Sequence, residues 1–181
     1  MTMTLLDAEY ATVGSFLHAP AFLAEVQPWL RPEDFANPTC RGIFNLLLDM
    51  HSRGAPIDAI TVLAACRASG LLRVDGTPGL QIVEMLQAAA HPVLCETYAR
   101  IVLDNSIRRR LVEVGERLIQ IGESPVRAPA EVLDLAREQY GVLHAERLRW
   151  RAARANNADT PQVAPLRHAP AESNSRGPRC R

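Results

Sequence analysis

The fold is decided by residues 107–121, whose sequence IRRRLVEVGERLIQI places apolar side chains at alternating intervals of four and three. This spacing keeps the apolar side chains on one face of an α-helix, as in the seam of a coiled coil. The seam residues are Ile107, Leu111, Val114, Leu118 and Ile121. Gly122 and Pro125 interrupt the pattern. We therefore predict a long helix from about residue 93 to residue 122.

A second helical pattern covers residues 129–154, and it carries two apolar lines instead of one. The line predicted to pack against the preceding helix comprises Leu133, Ala136, Tyr140 and Leu143. The other line comprises Val132, Leu135 and Val142. Two long helices joined by a short connection indicate an antiparallel αα-hairpin. Because one hairpin partner cannot bury both lines, we expect the hairpin to contact another chain or the globular part.

The residues before the hairpin carry shorter helical patterns, separated by capping and turn signals. We expect helices near residues 6–18, 21–29, 37–54, 58–70 and 80–90. Asn37 followed by Pro38 is a good helix start, as is Asp58, while Gly54 and Gly70 suit helix ends. These signals predict a compact helical region in the first half of the chain.

The end of the chain differs from both regions in composition. Residues 155–181 contain four Pro, with many Asn, Ser and Arg and few large apolar side chains, which is typical of a disordered segment. We therefore predict an all-α protein with three parts. They are a small orthogonal helical bundle over residues 5–92, a long antiparallel αα-hairpin over residues 93–154, and a disordered Pro/Arg-rich tail over residues 155–181.

The basic residues of the chain are all Arg, because the sequence contains no Lys. A Walker A loop needs a Lys to reach the β- and γ-phosphates of ATP, and Schiff-base catalysis needs one as the nucleophile. Both activities are excluded for this sequence. The four Cys are far apart in the chain, so we expect free thiols and a cytoplasmic location. No apolar run approaches the roughly 18 residues that span a membrane.

The titratable residues do not form a recognisable catalytic pattern. The five His have no His, Cys or acidic partner at the spacing of a metal site. No Ser–His–Asp or Cys–His arrangement has local support either. We therefore predict no catalytic, metal or cofactor-binding site, and no cofactor.

The charge of the chain is divided unevenly. Residues 1–144 hold 12 Arg and 17 acidic residues, whereas residues 145–181 hold 8 Arg and 3 acidic residues. Arg side chains next to an aromatic residue are typical of surfaces that bind single-stranded nucleic acid. The candidate nucleic-acid contacts are Arg147, Arg149, Trp150, Arg151 and Arg154. The other basic run, Arg108–Arg110, is interpreted as a solvated helix face, because Arg109 and Glu113 are four positions apart.

Five segments, in order, resemble the N-terminal domain of DnaB-type replicative DNA helicases. They are EYATVGSFL (9–17), LRPEDF (30–35) with IF (43–44), GAPID (54–58) with TV (61–62), GLL (70–72) with GL (79–80), and YARIV (98–102). Each segment alone is weakly specific, but their order and spacing agree over roughly residues 5–145. The chain is therefore identified as a relative of that domain.

The resemblance implies a fold and a role. In that family the domain is a small helical bundle followed by a helical hairpin, and the hairpins pair. The paired domains form a collar over a hexameric motor and contact primase and loader proteins. The ATPase motor lies in a separate C-terminal domain, and the Lys-free sequence has no substitute for it. The resemblance thus implies a stand-alone, non-catalytic collar domain that acts in DNA replication.

Our first hypothesis is a homodimer or higher oligomer that binds a primase, a replicative helicase or a helicase loader. The self-association residues predicted for it are Leu111, Val114, Leu118, Val132, Leu135, Tyr140 and Leu143. A second hypothesis is an accessory protein that binds single-stranded nucleic acid through its basic C-terminal end. A third is the remnant of a truncated helicase.

Overall fold

The computed structural model describes residues 4–71, 78–89 and 91–155. Every regular element in these ranges is helical, which confirms the predicted all-α class. The α-helices are α1 (Leu5–His18), α2 (Phe22–Val26), α3 (Pro38–Ser52), α4 (Ala59–Ala68), α5 (Pro78–Ala88), α6 (Cys95–Gly122) and α7 (Pro129–Ala155). Short 3-10 helices cover Pro32–Asp34 and Pro92–Leu94. The tail predicted over residues 155–181 lies outside the described residues, except for Ala155.

The helix starts that the sequence predicts are formed by side-chain caps. The Asn37 Oδ1 atom accepts hydrogen bonds from the backbone N–H groups of Thr39 and Cys40, at 2.8 and 3.1 Å. Asp58 caps α4 in the same way. These caps satisfy N–H groups that have no partner inside the helix. Gly54 and Gly70, which follow α3 and α4, have φ angles of 63° and 69°, where a side chain would be strained.

The second helix is shorter than the predicted range of 21–29, because α2 ends at Val26. Pro28 has no backbone N–H and cannot continue the helical hydrogen bonds. The chain turns there, and the N–H groups of Trp29 and Leu30 both bond to the carbonyl of Val26. The turn carries the side chains of Trp29 and Leu30 into the core, where both are buried.

Helix α1 lies at the centre of the bundle and packs against α5 and α6. A Cβ atom added at Gly14 would overlap the carbonyl oxygen of Met85 and lie 2.9 Å from the Cβ of Ala89. Glycine at this position therefore allows α1 and α5 to approach closely. On another face, the buried carboxylate of Glu9 accepts hydrogen bonds from the N–H groups of Ala36 and Asn37, at 2.6 and 2.9 Å. This contact positions the start of α3.

Helices α6 and α7 form the predicted hairpin, but the assignment of the two apolar lines on α7 was wrong. Leu133 and Tyr140, predicted to pack against α6, are 70% and 66% exposed. The line nearest to α6 includes Leu135 and Val142, which line clefts together with Ile121 and Val114 of α6. Leu135 is half-buried there, and Val142 is 39% exposed. The same line ends in three buried residues near the bundle, namely Glu146, Arg149 and Ala153.

Polar contacts account for the orientation of α7 about its own axis. Arg149 forms an ion pair with Asp34 of the bundle, and the carbonyl of Ala153 accepts a hydrogen bond from Arg100 of α6. These contacts turn the C-terminal end of α7 to face the bundle. Because a helix is rigid over this length, they also determine which line of its N-terminal half faces α6. Apolar spacing alone does not contain this information.

Candidate interaction surface on the helical hairpin

The outer side of α6 carries large apolar residues that no other described residue covers. Leu111, Val112 and Ile119 are more than half exposed, and Leu118 is slightly over a third exposed. Gly115 lies between them, and a Cβ atom built there would meet open space. Sequence reasoning selected Leu111 and Leu118 but missed Val112 and Ile119. Both residues are visible in the sequence as large aliphatic side chains, each directly after a selected leucine.

Helix α7 adds a second exposed apolar strip. Leu133 and Tyr140 are well exposed, and Ala136 and Leu143 on the same strip are half-buried. At 100° per residue, these residues lie to one side of the line that contacts α6. Leu111 and Leu118 lie to one side of the corresponding contact line on α6. Since the helices are antiparallel, both displacements point to the same side of the hairpin.

We call this side the apolar face; its residues are Leu111, Val112, Leu118, Ile119, Leu133, Ala136, Tyr140 and Leu143. The same helical geometry turns polar residues to the opposite side, including Glu113, Gln120 and Glu138. A hairpin that is apolar on one side and charged on the other has a preferred face for contact with another protein.

The seven predicted self-association residues divide into two groups. Leu111, Leu118, Tyr140 and Leu143 belong to the apolar face. Of the other three, Val114 is buried, Leu135 is half-buried near Ile121 of α6, and Val132 is half-buried. Val114 is thus enclosed within the hairpin of a single chain, whereas Val132 and Leu135 keep part of their surface exposed, and the role of these residues in self-association stays a prediction.

A buried polar cluster joins the hairpin to the bundle. One Nη atom of Arg149 donates to both carboxylate oxygens of Asp34, at 2.7 and 2.8 Å. The same carboxylate accepts hydrogen bonds from the hydroxyl of Ser106, at 2.6 Å, and from the N–H of Arg31, at 2.7 Å. Arg109 donates to the backbone carbonyl of Asp34, at 2.6 Å. Asp34 thus connects the LRPEDF segment to both hairpin helices.

This cluster changes the set of candidate nucleic-acid contacts. Arg149 is only 9% exposed, and its guanidinium is held by Asp34 and by Glu146, which lies 3.3 Å away. Trp150 is half-buried, and its ring N–H donates to Asp104, at 3.0 Å. Both side chains have structural partners and are removed from the candidate set. Arg147, Arg151 and Arg154 are exposed, and Arg154 packs over the ring of Trp150, 4.3 Å from its centroid.

The buried thiols belong to the core. Burial raises the pKa of Cys40 and Cys95 to about 12 and the pKa of Cys66 to about 11. At neutral pH these side chains are therefore protonated and weakly nucleophilic. Within the described ranges, no group of three or more His, Cys, Asp or Glu side chains is arranged to hold a metal ion. None of the described helices is both long and apolar enough to cross a membrane.

Comparison with known proteins identifies related sequences. The family model of the DnaB-like helicase N terminal domain matches residues 2–104. A replicative DNA helicase DnaB of Mycobacterium leprae is 37% identical over 142 residues, which are 76% of this chain and 23% of that protein. A replicative DNA helicase DnaB of Geobacillus stearothermophilus is 34% identical over 117 residues, which are 65% of this chain and 26% of that protein. The chain thus spans about a quarter of the length of these relatives.

A solved structure agrees with the sequence matches. The crystal structure of the N-terminal domain of DnaB helicase from Mycobacterium tuberculosis superimposes with a TM-score of 0.68 at 34% sequence identity. The match covers 76% of this chain and 96% of that domain. It extends beyond the region of the family model, since it includes more of the chain than residues 2–104. The chain therefore belongs to the family of DnaB-like helicase N-terminal domains.

Proposed function

We propose that this chain is a non-catalytic assembly module in DNA replication, which self-associates through the apolar face of its hairpin and binds a second replication protein. Its similarity to replicative helicases is limited to the N-terminal domain. The Lys-free sequence supplies no P-loop Lys for ATP hydrolysis. The role assigned to the chain is therefore binding, not unwinding.

The apolar face is the observation that carries the proposal. It exposes large apolar side chains in two strips, one on each hairpin helix, in addition to the single exposed apolar residues elsewhere in the chain. Isolated exposed apolar residues are ordinary, whereas a contiguous apolar strip on a helix marks a contact with another protein. The residues recur at the helical spacing that packs one helix against another. In the proposed dimer, the apolar faces of two hairpins pack against each other in a four-helix arrangement.

The second partner is proposed from the family. The relatives are named replicative DNA helicases, and the resemblance implies contacts of this domain with primase, helicase or loader proteins. Affinity capture from the source organism, with this chain as bait, tests the proposal. Recovery of a primase or a full-length replicative helicase supports it, and recovery of neither contradicts it.

Sedimentation velocity at micromolar concentration tests self-association. The wild-type chain is expected to sediment as a dimer or a larger species. The double variant Leu111→Glu/Leu118→Glu places two charges on the apolar face and should sediment as a monomer. Ile60→Glu is the matched control, because Ile60 is 80% exposed on α4, outside the hairpin. Circular dichroism verifies that each variant is folded. A wild-type monomer at high concentration would contradict the proposal.

A further inference from the structure

We propose that three exposed arginines in the last turns of α7 bind the phosphates of single-stranded DNA. We call Arg147, Arg151 and Arg154 the basic stripe. The proposal rests on the proposed role in DNA replication, because that role brings the chain close to DNA. It uses different residues from those of the apolar face. The two surfaces can therefore be tested separately.

The basic stripe is a continuous line on one side of the helix. Its residues are separated by four and three positions, so their side chains project in similar directions. At 1.5 Å per residue the stripe is about 10 Å long. All three residues are exposed. The geometry thus aligns three positive charges along a short path at the protein surface.

Among the described residues, the three stripe residues lack the ion pairs that several other arginines of the chain form. Along α3, α6 and the start of α7, several arginines form ion pairs within one helical turn, among them Arg53 with Asp49, Arg110 with Glu113, and Arg127 with Glu131. Within residues 4–71, 78–89 and 91–155, no carboxylate lies within ion-pair distance of the three stripe residues. Helix α7 has no acidic residue after Glu146. The charges of the stripe are thus available to an external anion.

The contacts of Arg149 with the bundle and of Trp150 with α6 hold the stripe in place. Arg149 is fixed by Asp34, and Trp150 by Asp104, so this end of the helix cannot rotate about its axis without breaking both. Arg154 is further ordered by its contact with the ring of Trp150. A preorganised set of cations loses less conformational entropy on binding than flexible side chains do. The inward-facing residues therefore support the binding surface without belonging to it.

The distribution of charge favours a polyanion at this end of the chain. Residues 1–144 carry an excess of acidic residues, which repels DNA from the rest of the molecule. After Glu146 the sequence holds eight Arg and only two acidic residues, Asp159 and Glu172. We assign a single strand because Arg154 packs over the ring of Trp150, and arginines beside an aromatic side chain are typical of surfaces that bind single strands.

Fluorescence anisotropy of the full chain with a labelled oligothymidylate tests the proposal. The oligonucleotide is chosen longer than the roughly 4–16 nucleotides that a small single-strand-binding surface covers. The variant Arg147→Gln/Arg151→Gln removes two phosphate contacts while keeping good helix-forming residues. Each contact contributes about 0.7 to the slope of log K against log salt concentration, so the slope should become shallower by about 1.4. The matched control is Arg67→Gln/Arg137→Gln, because both residues are exposed outside the stripe, and its slope should equal that of the wild type.

The other outcomes are equally informative. No binding by the wild-type chain, or an unchanged slope in the stripe variant, overturns the assignment. Equal displacement of the oligothymidylate by a duplex of the same length overturns the preference for single strands. Sedimentation velocity of the same samples separates this proposal from self-association. If the stripe variant loses self-association and wild-type DNA binding is absent, the stripe is a protein contact instead. If DNA binding is lost while the oligomer persists, both proposals are supported.

Discussion

The two ends of helix α6 have different environments, although both are rich in apolar residues. At the N-terminal end, Cys95, Ala99, Val102 and Leu103 are completely or almost completely buried in the bundle core. Further along, the pair Leu111–Val112 and the pair Leu118–Ile119 are exposed. Burial of apolar surface within one chain accounts for the first set. The second set is not needed to fold the chain, so its apolar character points to association. The bundle is thus the stabilising region, and the outer hairpin is the surface that we propose for partners.

The largest expected effect comes from breaking the contact that joins these two regions. In the variant Asp34→Ala, Arg149 loses the carboxylate that holds its buried guanidinium. Removing one partner of a buried ion pair typically lowers the free energy of unfolding by about 3–5 kcal/mol. Urea unfolding followed by circular dichroism measures the loss. Hydrogen exchange should also show that α7 opens more readily near the bundle than in the wild type.

Two further variants test whether the effect belongs to the pair. Glu33→Ala changes the neighbouring acidic residue, which is exposed, and should alter stability by less than about 0.5 kcal/mol. The double variant Asp34→Ala/Arg149→Met leaves no charge unpaired in this pair, so its loss should be smaller than the sum of the two single losses. Additive losses would show that the two residues are not coupled, and the connection between the bundle and the hairpin would then have another source.

A smaller effect is expected inside the bundle at Gly14. In Gly14→Ala the new methyl group would overlap the carbonyl of Met85, so α1 and α5 must move apart. Such overpacking typically costs about 1–3 kcal/mol. The direction of the change in the free energy of unfolding is decisive, because the intrinsic helix propensity of Ala would by itself add about 1 kcal/mol of stability. Thermal and urea unfolding should both show destabilisation. An increase in stability would show that the close approach of α1 and α5 is not required.

The sequence predicts the local features of this fold better than its long-range ones. The cap residues Asn37 and Asp58 act within three positions of themselves, and both were predicted correctly. The direction in which α7 faces depends on Arg149 and Asp34, which are 115 positions apart. Both apolar lines of α7 are visible in the sequence, but the choice between them requires that distant contact. For the same reason, the pattern could not separate Arg149, which is buried, from the exposed Arg147.

The smallest expected effect distinguishes the outer hairpin from the bundle most directly. Gly115→Ala adds the same methyl group as Gly14→Ala, but into open space on the outer side of α6. It should therefore raise the free energy of unfolding by about 0.5–1 kcal/mol, through helix propensity alone. Gly141→Ala on α7 is the matched control, since a Cβ atom there also meets open space and Gly141 lies outside the apolar face. Both variants should be equally stabilised when measured at low protein concentration.

If two copies approach closely along α6, only Gly115→Ala should also weaken self-association in sedimentation velocity. Equal association by both variants would limit the interface to the side chains around Gly115 and exclude close backbone contact there.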